Sequence, residues 1–178
     1  MTALRPREAV PALDVPTVTG EHWSLAAQAP ANFTLVVVYR GLHCPICGPY
    51  VKDLDDRVAS FRERGVEPVA LSSDTRERAV AAREKWRLSA VTLGYGLPLD
   101  TARAWGLYIS AGIGKTSAGL EEPAQFAEPG LFLVRPDGTL YYGSVQTMPF
   151  ARPAFADILQ AVDFVLARDY PARGELAA

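Results

Sequence analysis

The chain has 178 residues, of which 49% are apolar and 21% charged, and its 18 Lys and Arg against 20 Asp and Glu leave a formal charge of −2. That composition can bury a core, which excludes wholesale disorder, and it offers no cationic footprint for a phosphate backbone, which excludes a dedicated nucleic-acid binder. No apolar run approaches the roughly 18–20 residues of a bilayer span, and the polar start, with Arg5 and Arg7, lacks a secretory apolar stretch; the expectation is one domain over residues 1–178 in a reducing cytoplasm, with no membrane partner.

Leu13 to Val18 and His22 to Leu25 read as two short strands around Thr19-Gly20, a hairpin-like start. Phe33 to Tyr39 is an apolar, β-branched run of the kind covered on both faces of a sheet. After Arg40-Gly41 the period changes. Ile46, Tyr50, Leu54, Val58 and Phe61 recur at three and four residues, with Lys52, Asp53, Asp55, Asp56 and Arg57 on the other side. This spacing predicts an amphipathic helix stopped by Gly65.

Val66 to Leu71 is a second buried strand, and Ser72-Ser73-Asp74 can cap a helix over Thr75 to Trp86, with Glu77 completing a capping box on Asp74. Tyr95 to Leu99 reads as a weak strand, and Asp100 as the cap of a short helix ending at Gly106. Leu107 to Glu128 has no clean period and reads as irregular. Leu131 to Val134 and Thr139 to Val145 flank Arg135-Pro136-Asp137-Gly138, a hairpin turn. Pro153 opens a last helix with the stripe Phe155, Ile158, Leu159, Val162, Val165 and Leu166, and residues 171–178 read as a loose tail. The order β-β-β-α-β-α-β-(α)-loop-β-β-α predicts an α/β fold, a mixed central sheet flanked by helices with an N-terminal hairpin extension.

The chain has two cysteines, Cys44 and Cys47, in Cys44-Pro45-Ile46-Cys47. Two cysteines placed at random would fall three apart roughly once in ninety trials, so the spacing is informative. A four-thiolate cluster cannot form, and a zinc site would have only His22 and His43 to add besides carboxylates, so neither a metal nor a cofactor is expected. A buried strand runs towards Cys44 and a helix leaves it. That places Cys44 near the N-cap and Pro45 at the first helical position, where free N–H groups favour a thiolate. Cys44 is then the exposed nucleophile and Cys47, one turn on, the more buried resolving thiol; Arg40 and His43 could add positive potential. The bland reading of the pair is a structural motif or a chance pair of small apolar residues.

Thiolate formation has limited power. Lowering a thiol pKa from about 8.5 to between roughly 3.5 and 7.5 raises the thiolate fraction at neutral pH only about tenfold to thirtyfold. Falling nucleophilicity takes part of that back. An acceleration of about a millionfold needs groups that position the substrate and stabilise the leaving atom.

Several residues carry weaker signals. Gly112-Ile113-Gly114-Lys115-Thr116 is similar to the end of a phosphate-binding loop but has Ile109 where the first glycine belongs. Trp23, Trp86 and Trp105 read as packing residues, with Trp86 able to line an interface.

Leu25, FTLVVVYRG (33–41), Cys44-Pro45-Ile46-Cys47, PVALSSD (68–74), LPLD followed by AWGL, and GLFLVRPDGTLYY (130–142) occur in an order that resembles the thioredoxin-fold superfamily. Within it they resemble the peroxiredoxin-like branch, the alkyl hydroperoxide reductase and thiol-specific antioxidant family, over about residues 12 to 167. The stretch Gln146 to Pro153 resembles a signature of a less-studied peroxiredoxin-like subgroup. The resemblance implies a thioredoxin-like fold and puts Cys44 where the family has its peroxide-attacking cysteine. It also implies that Pro129 occupies a cis-proline position facing the thiol; a simple turn before a strand is the other reading.

The chain departs from the family's Pro-x-x-x-Thr-x-x-Cys pattern: counting back from Cys44, Gly41 stands at the threonine position and Val37 at the proline. Glu128 precedes Pro129 where the family's arginine is expected, so Arg40 or Arg152 is the candidate substitute, with a solvated residue at a helix start as the other reading of Arg152. The Cys-Pro-x-Cys spelling is closer to glutaredoxins and bacterial disulfide oxidants. Three functions follow: a thiol peroxidase on hydroperoxides, regenerated by a thioredoxin or glutaredoxin-type reductant; a thiol–disulfide oxidoreductase; and a non-catalytic redox sensor. Homodimerisation is a common state of such proteins.

Overall fold

The computed structural model describes residues 4–176. In chain order its strands are β1 (Asp14–Pro16), β2 (His22–Ser24), β3 (Phe33–Val38), β4 (Val66–Leu71), β5 (Thr92–Gly94), β6 (Ile109–Ala111), β7 (Gln125–Ala127), β8 (Gly130–Val134) and β9 (Leu140–Val145). The helices are α1 (Cys47–Glu63), α2 (Arg76–Lys85), α3 (Leu99–Ala104) and α4 (Phe155–Arg168).

The main sheet runs β5-β4-β3-β8-β9. β3 pairs parallel with β4 and antiparallel with β8, which makes the sheet mixed. Every residue of β3 is buried, as its unbroken apolar run requires. Alternation then divides the core. Phe33, Leu35, Val37 and Tyr39 face α1 and α4, whereas Val36 and Val38 face the β1–β2 hairpin and α3 with Trp23, Trp105 and Phe132. Pro68 sits inside β4, where it lacks a ladder N–H, but β5 pairs only with residues 69–71.

Several details differ from the sequence reading. The fifth strand is Thr92–Gly94, not Tyr95–Leu99: the Leu97 N–H bonds the Ser72 carbonyl and Pro98 is already the cap of α3, with Asp100 inside the first turn. Part of the stretch read as irregular is ordered, since β6 and β7 pair antiparallel, Ser110 opposite Phe126. Their three residues each are too short for a period to show. The cap of α2 is Thr75, which accepts the Arg78 N–H, and Asp74 is turned elsewhere.

Asp55, assigned to the solvent side of α1, is buried and accepts the N–H groups of Ser89, Ala90 and Val91. Leu166, assigned to the buried stripe of α4, is 41% exposed. The tail is not loose throughout. Arg7 donates twice to the Ala172 carbonyl, at 2.8 and 3.0 Å, and Tyr141 donates to the Tyr170 carbonyl; residues 177–178 lie outside the described residues. Among the described residues no helix is long and apolar enough to cross a membrane.

Candidate active site

The site lies where the chain leaves β3 for α1. Two reverse turns intervene: the Cys44 N–H bonds the Gly41 carbonyl and the Cys47 N–H bonds the Cys44 carbonyl, each at 3.2 Å. The helix therefore begins at Cys47, with Ile46 as its cap, and Cys44 and Pro45 precede it rather than serving as N-cap and first residue. The N–H groups of Cys47 and Ile46 still favour a thiolate at Cys44. Pro45 and Ile46 face solvent while both sulfurs turn inward.

Cys44 is only 1% exposed and Cys47 wholly buried, so the expected exposed nucleophile is a covered one. Neither is in a disulfide. The Cys47 thiol donates to the Cys44 sulfur. That bond, opposed by burial and helped by the two N–H groups and by Arg40, pulls the Cys44 thiol down to about 6. Burial first, and then the donated bond and the neighbouring thiolate, push Cys47 up. The pair's proton is thus favoured on Cys47 and the thiolate on Cys44.

Arg40, at the end of β3, lies 4.6 Å over the Phe126 ring, with Glu128 at 3.3 Å and Glu122 at 3.8 Å. Its charge is shared with two carboxylates from the β7 side. Glu128, standing where an arginine was sought, is buried and accepts the Ser110 hydroxyl.

His43 does not add positive potential. It is wholly buried against Phe126, with ring centroids 4.6 Å apart, and burial, more than the opposing Asp74 carboxylate, lowers its pKa; Arg78 and Arg40 lower it further. Arg78 can only donate, so the His43 Nδ1 at 3.3 Å is the acceptor and the ring is the neutral Nε2–H tautomer.

Arg152 is no solvated bystander. Its guanidinium reaches the pair from the segment before α4, 3.6 Å from the Cys47 Sγ. Pro129 is buried in the two-residue link between β7 and β8, and its peptide is trans, as is every other peptide bond among the described residues, so the cis-proline expectation fails, and no turn forms there either.

Two site residues were not singled out for the site in the sequence. Asp74, buried after β4, accepts the Leu42 N–H at 2.6 Å and the Arg78 Nε–H at 2.8 Å, which pins the turn ahead of Cys44. Thr116, in the loop between β6 and β7, donates to the His43 carbonyl at 2.8 Å and fastens that loop to the same turn. The glycine-rich segment around it thus serves as a tether. Trp86 packs edge-on to Tyr39, and a Cβ on Gly48 would meet its indole at 2.7 Å, so it buttresses the start of α1. Among the described residues no group of three or more His, Cys, Asp or Glu is disposed to hold a metal ion.

The model of the AhpC/TSA family matches residues 6–143. Among solved structures, a peroxiredoxin-like protein from Aquifex aeolicus superposes with a TM-score of 0.73 at 16% identity, over 93% of this chain and 90% of that one. Peroxidoxin BcpB from Mycobacterium tuberculosis gives 0.68 at 17% identity, over 89% and 96%. AhpC from Enterococcus faecalis gives 0.70 at 16%, over 97% and 99%. At these identities the likeness is one of fold, the thioredoxin fold of peroxiredoxins. No curated protein matches the sequence.

Proposed function

The chain belongs to the AhpC/TSA family, and on that premise we propose that it is a thiol peroxidase in which Cys44 attacks hydroperoxides and Cys47 resolves the product. The observation that carries this reading is a thiolate-favouring Cys44 sulfur under cover, 1% exposed. Hydrogen peroxide, of nearly water size, needs only a small opening to reach such an atom. A protein disulfide needs far more room.

The Cys44 thiolate attacks the outer peroxide oxygen, the O–O bond breaks, and the alkoxide leaves and takes up a proton. Sulfur is oxidised by two electrons and the peroxide reduced by two. The N–H groups of Ile46 and Cys47 and the Arg40 guanidinium are the donors beside that sulfur for the charge on the departing oxygen. Cys47 then attacks the Cys44 sulfenic acid, the S–S bond forms, the S–O bond breaks, and the hydroxyl leaves as water with the Cys47 proton. A thioredoxin- or glutaredoxin-type dithiol of the cytoplasm restores both thiols.

The second reading, thiol–disulfide exchange, draws on Gly41 in place of threonine and on a Cys47 thiol already bonded to Cys44. The test is a Cys47→Ser variant given one equivalent of hydrogen peroxide, with a dione trap for sulfenic acid and mass spectrometry. The peroxidase reading expects a trapped adduct at Cys44 within seconds. A Cys44 left reduced while it forms a mixed disulfide with oxidised glutathione would move the protein to the second reading.

A further inference from the structure

We propose that Arg152 is the catalytic residue of the second, disulfide-forming step, acting on Cys47 and not on the peroxide; this rests on the peroxidase reading above. Its Nη1 lies 3.6 Å from the Cys47 Sγ, and its Nη2 donates to the Ile46 carbonyl at 3.1 Å. The guanidinium lies 4.0 Å over the Tyr50 ring, one helical turn beyond Cys47. Tyr50 in turn donates its hydroxyl to the Pro153 carbonyl at 2.8 Å and packs on Phe155 at 4.4 Å. Ala151, at φ 53°, makes the left-handed turn that brings Arg152 back over α1. Arg152 is therefore held from both sides, with one donor aimed at the resolving sulfur.

The chemistry of the second step needs that donor. In the reduced pair Cys47 keeps its proton because it is buried and faces the Cys44 thiolate. Once Cys44 has become a neutral sulfenic acid, that charge is gone, and burial alone still opposes ionisation of Cys47. A fixed cation at 3.6 Å, which already pulls the thiol down in the reduced pair, then has only burial to work against. Cys47 loses its proton, attacks the Cys44 sulfur, and the displaced hydroxyl takes the proton and departs as water. Arg40, which acts on Cys44, and Arg152, which acts on Cys47, thus divide the two steps.

The test compares the wild type, Arg152→Gln and Arg152→Lys in single-turnover oxidation by hydrogen peroxide. One pKa unit on Cys47 is a tenfold change in its thiolate fraction. Arg152→Gln is expected to lengthen the life of the Cys44 sulfenic acid about tenfold and to slow the first step much less, with Lys restoring part of the difference. Equal slowing of both steps, or an unchanged sulfenic acid lifetime, overturns the assignment. A second measurement does not need peroxide: the ultraviolet thiolate titration of Cys47 in Cys44→Ser. Adding Arg152→Gln is expected to move that titration to higher pH, and no movement rejects the proposal even if the wild type forms no sulfenic acid.

Discussion

A Cβ placed on Gly41 would lie 2.6 Å from the carboxylate of Asp74. Gly41 also has φ +134°, in the region that side chains avoid. The position at which the family resemblance calls for a threonine thus has no room for one, because Asp74 occupies the space and takes the Leu42 N–H. Restoring the threonine is expected to harm the protein. Gly41→Thr should cost about 2–4 kcal/mol of stability and lower the oxidation rate of Cys44, read by denaturant unfolding and by thiol assay. A stable variant with faster peroxide reduction would show that the turn tolerates the family residue.

The pH profile follows from the Cys44–Cys47 bond. Cys44 is drawn down to about 6, so its reaction with peroxide is expected to rise as pH climbs through that value and to level off above it. Removing the donor with Cys47→Ala should shift the midpoint upward, while Cys47→Ser, which keeps an O–H donor, should shift it less. Rate against pH for the three proteins checks both the midpoint and the order.

Asp55 carries a prediction about stability rather than chemistry. Burial works against its ionisation, but the N–H groups of Val91, Ala90 and Ser89 and the Lys52 ammonium more than offset that, and its pKa is lowered. Its stabilising contribution is therefore present above the unfolded carboxyl value of about 4 and is lost as pH falls through the lower folded value. Asp55→Ala should cost about 3 kcal/mol at neutral pH by leaving those backbone donors unpaired, and the difference from wild type should shrink in acid. Urea unfolding at two pH values measures it.

The Asp55 result also shows what the sequence could and could not disclose. The unbroken apolar run of β3 and the Pro-Asp-Gly turn carry their structure locally and form where read, as does α1, although Ile46, read as the head of its stripe, caps the helix and is exposed. The cysteine spacing likewise points to the candidate site. What failed depended on groups brought together from afar. Asp55 looks like a solvent-side helix residue because its partners lie 34–36 positions away. His43 looks cationic until Phe126 and Arg78 enclose it. Thr116 had no signal for a site role beyond a polar residue in a glycine-rich loop, since its partner is 73 positions away.

The tethered β6–β7 loop makes a further prediction. Thr116 ties it to the His43 carbonyl, next to Cys44, and Arg40 holds it through Glu122. Thr116→Val removes the tie with little change in volume. It should speed reaction of Cys44 with a bulky aromatic disulfide by more than it speeds reaction with hydrogen peroxide, roughly threefold to tenfold in the ratio if about 1 kcal/mol of closure is lost. An unchanged ratio would mean that the loop does not control access.

The most direct trial of the peroxidase assignment is a stopped-flow comparison of the reduced wild-type protein with hydrogen peroxide and with oxidised glutathione at neutral pH, following Cys44. The covered thiolate, with its donors in place, is expected to react with peroxide orders of magnitude faster than a free thiol does, and only slowly with the larger disulfide. Oxidation by peroxide at no more than the free-thiol rate would contradict the account.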